Sequence, residues 1–87
     1  MKKLITEDEN EGLLKLMGEN IMAFGLNYIY TGKLVGVNET CILLENPRIV
    51  YETGRFDSKE FKDAQALPFQ VYVMLACIES FGKTDKR

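Results

Sequence analysis

Histidine and tryptophan are absent from this chain of 87 residues, and cysteine occurs only twice. Without histidine, the commonest general base and the commonest transition-metal ligand are both missing. Metal-assisted hydrolysis and Ser-His or Cys-His catalysis therefore lose their usual parts. Cys41 and Cys77 cannot by themselves make a four-ligand metal site. Both lie in apolar runs, and free cysteine is among the most buried residue types, which points to a packing role. Glu45, Glu52, Asp57 and Glu60 show no spacing that selects two of them as an acid and a base. No catalytic residue, metal or cofactor is expected.

Long apolar runs and basic runs are scarce as well. The most apolar segment, Leu67 to Ile78, has ten apolar residues in twelve and is too short to cross a membrane as a helix. Met1 to Ile5 is too short for the apolar region of a signal peptide. The expectation is a cytoplasmic chain with no membrane partner. Net charge is −2 and the isoelectric point is about 5.1, so the molecule as a whole does not attract polyanions. Four of its thirteen acids, Glu7, Asp8, Glu9 and Glu11, lie in one short segment, and from Gly12 onward nine acids balance nine bases. A local basic surface remains open to such a neutral body, although no basic run announces one.

What is present is enough for one domain, residues 1–87, with a single core of a size that often gains stability by oligomerising. Thr6-Glu7-Asp8-Glu9 has the form of a capping box, and its acids complement the positive end of a helix dipole. Leu13, Leu14, Leu16 and Met17 continue at helical spacing to Gly18, a C′ residue, which predicts a helix over 7–17. Asn20 to Phe24 reads as a short strand. The centre of the chain, Tyr28 to Tyr51, reads as two long strands joined by a turn at Asn38-Glu39, with Asn46-Pro47 interrupting the second. Gly32 and Gly36 stand inside the first of these, where a residue without Cβ lets a strand bend or another backbone approach.

Gly54 to Ala66 carries six charged residues and reads as an exposed loop with one helical turn around Ser58 to Asp63. Leu67 to Ile78 follows as strand, then a last short strand to Phe81 and a flexible charged tail over 82–87. The apolar run does not alternate: Val71, Val73 and Leu75 point one way, Tyr72, Met74 and Ala76 the other. Both faces need cover. The helix supplies part of it and a neighbouring subunit the rest, the alternative being a monomer whose helix covers everything; Val71, Val73, Leu75, Ile78 and Phe81 are the expected oligomer interface.

This order of elements resembles the Sm-like family. Leu13-Leu14-Lys15-Leu16-Met17-Gly18 is similar to that family's N-terminal helix and its entry into strand one. Tyr30-Thr31-Gly32-Lys33-Leu34-Val35-Gly36-Val37-Asn38 is similar to its first motif, with Leu43-Leu44-Glu45-Asn46 at the motif's end. The resemblance covers residues 13–53 at the level of motifs and the remainder by architecture. It implies a mainly β fold, a small, strongly bent five-stranded SH3-like barrel behind an N-terminal helix. It further implies a closed homo-oligomeric ring of roughly five to seven subunits joined through the last two strands, usually holding single-stranded RNA.

Single strands are read by stacking and by bonds to base edges. Thr40 occupies the family's stacking place and Ile42 its asparagine place, and Ala76-Cys77 stands near its Arg-Gly. Asn38, at the usual aspartate, keeps a turn role. The candidate nucleic-acid contacts are Lys33, Asn38, Thr40, Arg48, Tyr51 and Arg55, with Tyr28 and Tyr30 as stacking surfaces. A ring whose partners are other proteins is the alternative.

Overall fold

The computed structural model describes residues 12–86. A four-residue helix α1 (Gly12–Lys15) leads into strands β1 (Asn20–Gly25), β2 (Ile29–Val37) and β3 (Cys41–Glu52). Short strands β4 (Asp63–Ala66) and β5 (Val71–Met74) follow, then a 3-10 turn (Leu75–Cys77) and β6 (Ile78–Lys83). The strands form one antiparallel sheet in the order β4-β3-β2-β1-β6, with β5 also on β3. The mainly β expectation holds. The sheet has six strands rather than five and is not closed.

β3 explains the extra strand. β4 pairs with its second half, Arg48 opposite Ala66, and β5 with its first half, Leu44 opposite Val71. Both follow nearly the same register along β3, so together they trace one interrupted path, and Leu67 N–H still reaches Pro47 O at 2.9 Å between them. Pro68, which has no N–H to give, sits in the gap. The loop expected over 54–66 is thus corrected: Asp63–Ala66 is strand, and Phe61, read as loop, is buried. The apolar run is corrected too, because the chain must leave β3 and reach β1. The 3-10 turn makes that crossing, with Leu75 N–H donating to Thr40 O and Leu26 N–H to Cys77 O.

Gly32 marks the bend. Between Thr31 and Lys33 the register on β3 advances from Arg48 to Glu45, one residue more than β2, which is a β-bulge. The extra residue lies at Asn46-Pro47, where Asn46 takes φ 50°, a left-handed conformation that asparagine tolerates better than most residues. A Cβ on Gly32 would lie 3.1 Å from Glu45 O and 3.2 Å from Pro47 Cα. Here the absent side chain allows backbone to approach backbone. β3 is therefore continuous through Asn46-Pro47, where an interruption is expected from sequence.

The bulge also shifts which face β3 presents. Before it, Ile42 and Leu44 join Ile21, Leu34 and Val73 in one buried cluster, with Leu13 and Leu16 of the α1 segment packed against them. After it, Val50 joins Met22 and Phe61 in a second. Each fully buried Leu or Ile contributes about 1.5–3 kcal/mol. Thr31, buried between the clusters, donates its hydroxyl to Ile21 O at 2.8 Å, so no polar cost is left there.

The helical expectation is met only in part. Gly12 has φ 65°, outside the right-handed helical range, and the described helix starts at that residue. Residues 7–11 and the Thr6 capping box lie outside the described residues. Gly18 takes φ 83°, but it lies three residues past the end of the helix and its N–H donates to Leu34 O at 2.7 Å, so the C′ role expected for it is not met. At the other end the flexible-tail expectation fails: β6 runs to Lys83, and Thr84 N–H continues the pairing to Asn20 O at 2.9 Å.

Candidate nucleic-acid interface

The six candidate contacts do not converge. Asn38 and Thr40 stand at the β2–β3 turn, Lys33 and Arg48 near the bulge, Tyr51 at the far end of β3 and Arg55 in the following loop. β3 separates the first pair from the last by its whole length. No single strand-reading pocket is assembled from these residues within one copy of the chain.

The turn is organised by one side chain. Asn38 Oδ1 accepts from Thr40 N at 2.8 Å, from Thr40 Oγ1 at 3.1 Å and from Cys41 N at 2.9 Å. Its oxygen is consumed in holding the turn, as expected for a turn role, and the Thr40 hydroxyl donates its one O–H to that oxygen. Thr40 O in turn anchors Leu75, so the β2–β3 turn and the 3-10 turn lie side by side. Among the described residues, Asn38 Nδ2 and the exposed Glu39 carboxylate of this turn make no hydrogen bond.

The cations differ sharply in their surroundings. Arg55 is held by Asp57 through two bonds, Nε to Oδ1 at 3.1 Å and Nη2 to Oδ2 at 3.0 Å. Lys62 pairs with Glu52 and Lys83 with Glu19. Lys59 donates to Asp85 and, chiefly through that hydrogen bond and then its charge, holds the Asp85 carboxyl below its ordinary value. Lys33 is exposed and makes no ion pair among the described residues. Arg48 is half-buried, its guanidinium 5.7 Å from the Phe61 ring centre.

Tyr51 donates its hydroxyl to Gln65 Oε1 at 3.0 Å across β3 and β4. Tyr28 is 52% exposed and meets Tyr30 edge to face at 6.2 Å. Of the tyrosines considered, Tyr28 best suits stacking.

The expected interface residues divide into two sets. Val73 is 5% exposed and belongs to the chain's own core, with Val71, Leu75 and Ile78 packed around it. Phe81 is exposed. Exposed beside the inward-facing residues are Tyr72 at 69%, Met74 at 51% and Phe69. Thus one face of the non-alternating run serves the core and the other stays apolar and open. Cys77 is exposed and Cys41 half-buried, both as free thiols, so the packing role expected for Cys77 is not met.

Sequence reasoning missed Phe56 and the tail. Phe56 is exposed and tilted against Phe24 at 6.4 Å, in a groove that Phe81 also lines. Lys86 is 7% exposed, and its Nζ donates to the main-chain oxygens of Arg55 and Ser58 while lying 5.5 Å from the Phe61 ring centre. A terminal lysine in a charged run carries no sequence signal of burial, because the carbonyls that receive it come from a distant loop. Among the described residues no helix is long and apolar enough to cross a membrane, and no group of three acids or cysteines is placed to hold a metal.

Comparisons of the chain with protein-family models, with curated proteins and with solved structures returned no match.

Proposed function

We propose that this chain is an Sm-like protein without catalytic activity, which joins head to tail into a homo-oligomeric ring of roughly five to seven subunits. Single-stranded RNA is its ligand, held away from the family's usual base pocket. In this reading β4 and β5 count as one bent strand on β3, which leaves five strand paths of a partly open barrel.

The observation that carries the assembly is the state of the two sheet edges. Among the described residues β5 pairs only with β3, and β6 only with β1, so each has an edge that no other described strand covers. On β5 that edge carries exposed Tyr72 and Met74, and on β6 it carries Phe81. Open apolar edges invite uncontrolled pairing. Joining β5 of one copy to β6 of the next covers both, and because two different surfaces meet, the contact closes by rotation rather than by a two-fold axis.

Tyr28 and Lys33 support the RNA part, as an exposed ring and a cation with no ion pair among the described residues, each repeated around the assembly. Light scattering on the full chain tests the ring, and a mass of one chain would overturn it. Fluorescence anisotropy with labelled RNA homopolymers, titrated across salt, tests the ligand. Binding that weakens with salt and falls in Tyr28→Ala and Lys33→Ala is expected, whereas no binding at low salt removes RNA and leaves the ring standing.

A ring with protein partners is favoured by one observation. Four cations, on Arg55, Lys59, Lys62 and Lys83, are already paired with carboxylates, which lowers the field available to a polyanion. The Phe56 groove would then be the contact. Under that reading Phe56→Ser loses a co-purifying protein while the mass of the ring is kept.

A further inference from the structure

We infer that the polar cavity between the start of β1, the β2–β3 bulge and the C-terminal tail binds a phosphate group. The cavity is about 260 Å³, and its lining includes Asn20, Thr31, Asn46, Arg48, Asp85 and Lys86. This site does not depend on ring formation or on the RNA reading, since every lining residue comes from one copy of the chain.

Two basic residues line the cavity. Arg48 and Lys86 both lie against the Phe61 ring, at 5.7 and 5.5 Å from its centre. Neither forms an ion pair among the described residues. Lys86 is almost wholly buried, and the two carbonyls it meets fix the position of its ammonium without cancelling its charge. The ring face stabilises a nearby cation only modestly. Two cations that pair with no carboxylate among the described residues, beside one partly enclosed space, repel each other in a medium less polarisable than water. An anion between them removes that repulsion.

The remaining groups select the kind of anion. The side-chain amides of Asn20 and Asn46 make no hydrogen bond among the described residues, and Asn46 is held at the bulge by its left-handed backbone. A guanidinium fork, an ammonium and two amides are donors suited to a tetrahedral oxyanion with several acceptor oxygens. The one carboxylate of the lining, Asp85, is engaged by Lys59. The phosphate is either free or the terminal group of a nucleotide, and the chemistry of the site is the same for both.

Calorimetry and amide chemical-shift titration of the full chain with inorganic phosphate, AMP and adenosine, at constant chloride, test the assignment. Saturable binding of phosphate or AMP is expected, and adenosine alone should not bind. AMP tighter than phosphate assigns a nucleotide source; equal affinities assign the free group. Arg48→Ala should weaken binding by about tenfold or more, with Arg48→Lys intermediate. Lys86→Gln keeps a donor for the two carbonyls and removes the charge, and should weaken binding several-fold in a chain that still folds. The inference is overturned by no saturable binding of either ligand, by equal binding in folded Arg48→Ala, or by adenosine binding as well as AMP.

Discussion

One oxygen, Oδ1 of Asn38, accepts three hydrogen bonds and closes the β2–β3 turn. Asn38→Ala should lower stability by about 1 kcal/mol in urea unfolding, while Asn38→Asp, which keeps the acceptor, should lie within about 0.5 kcal/mol of the parent. The turn role was legible in the sequence because Asn favours such bonds locally. Asp85 shows the opposite case, since its partner Lys59 is remote in the chain. Its carboxyl is held below the ordinary value of 3.8, first by the hydrogen bond from Lys59 and then by that residue's charge. A depressed folded-state value favours the folded state above the ordinary value, and the contribution is lost as pH falls through the depressed one. The tail contact should therefore hold at neutral pH and loosen only below about pH 3.8. Amide hydrogen exchange at Lys86, compared between neutral and acid pH, reads this directly; Asp85→Asn should remove the difference.

Among the elements, β3 is the spine, because it carries β2 on one edge and β4 with β5 on the other. Its bulge needs Gly32 opposite. Gly32→Ala should cost about 1–3 kcal/mol, because the added carbon would meet Glu45 O, Pro47 Cα and Leu44 Cβ, which are fixed by the backbone and give way only if it shifts. Gly82→Ala, with nothing within 4 Å of the added carbon, should change stability by less than about 0.5 kcal/mol in the same urea titration. The strands β1, β2 and β3 were readable from their apolar and β-branched content, and the glycines from their position within them. β4 was not, since Asp63, Ala64, Gln65 and Ala66 have low strand propensity. It is a strand because Val50 and its neighbours on β3 offer unpaired backbone groups, a circumstance of tertiary structure.

For the whole molecule the decisive feature is what the sheet leaves open. Placing charge on the β5 edge, as Tyr72→Lys with Met74→Lys, should reduce the light-scattering mass to a single chain while the far-ultraviolet dichroism stays unchanged. An unchanged mass would place the contact elsewhere. Neither side chain faces the core, so loss of fold is not the expected result. The division of the apolar run between core and surface could be foreseen only as a need for cover on both sides. Which face looks inward depended on the path of the chain through the 3-10 turn.

The sequence alone determined the β class, the place of the central hairpin and the bend glycine, and the lack of usual catalytic parts, because strand propensity, turn chemistry and residue inventory act locally. Tertiary structure alone decided that Lys86 is buried, that Arg48 and Lys86 share one aromatic ring and one cavity, and that the tail is docked. These depend on carbonyls, a ring and a bulge contributed by segments far apart in the chain, and no local pattern encodes such a meeting. The sheet edges belong to both: their apolar residues are written in the chain, and their being unpaired among the described residues is a property of the fold.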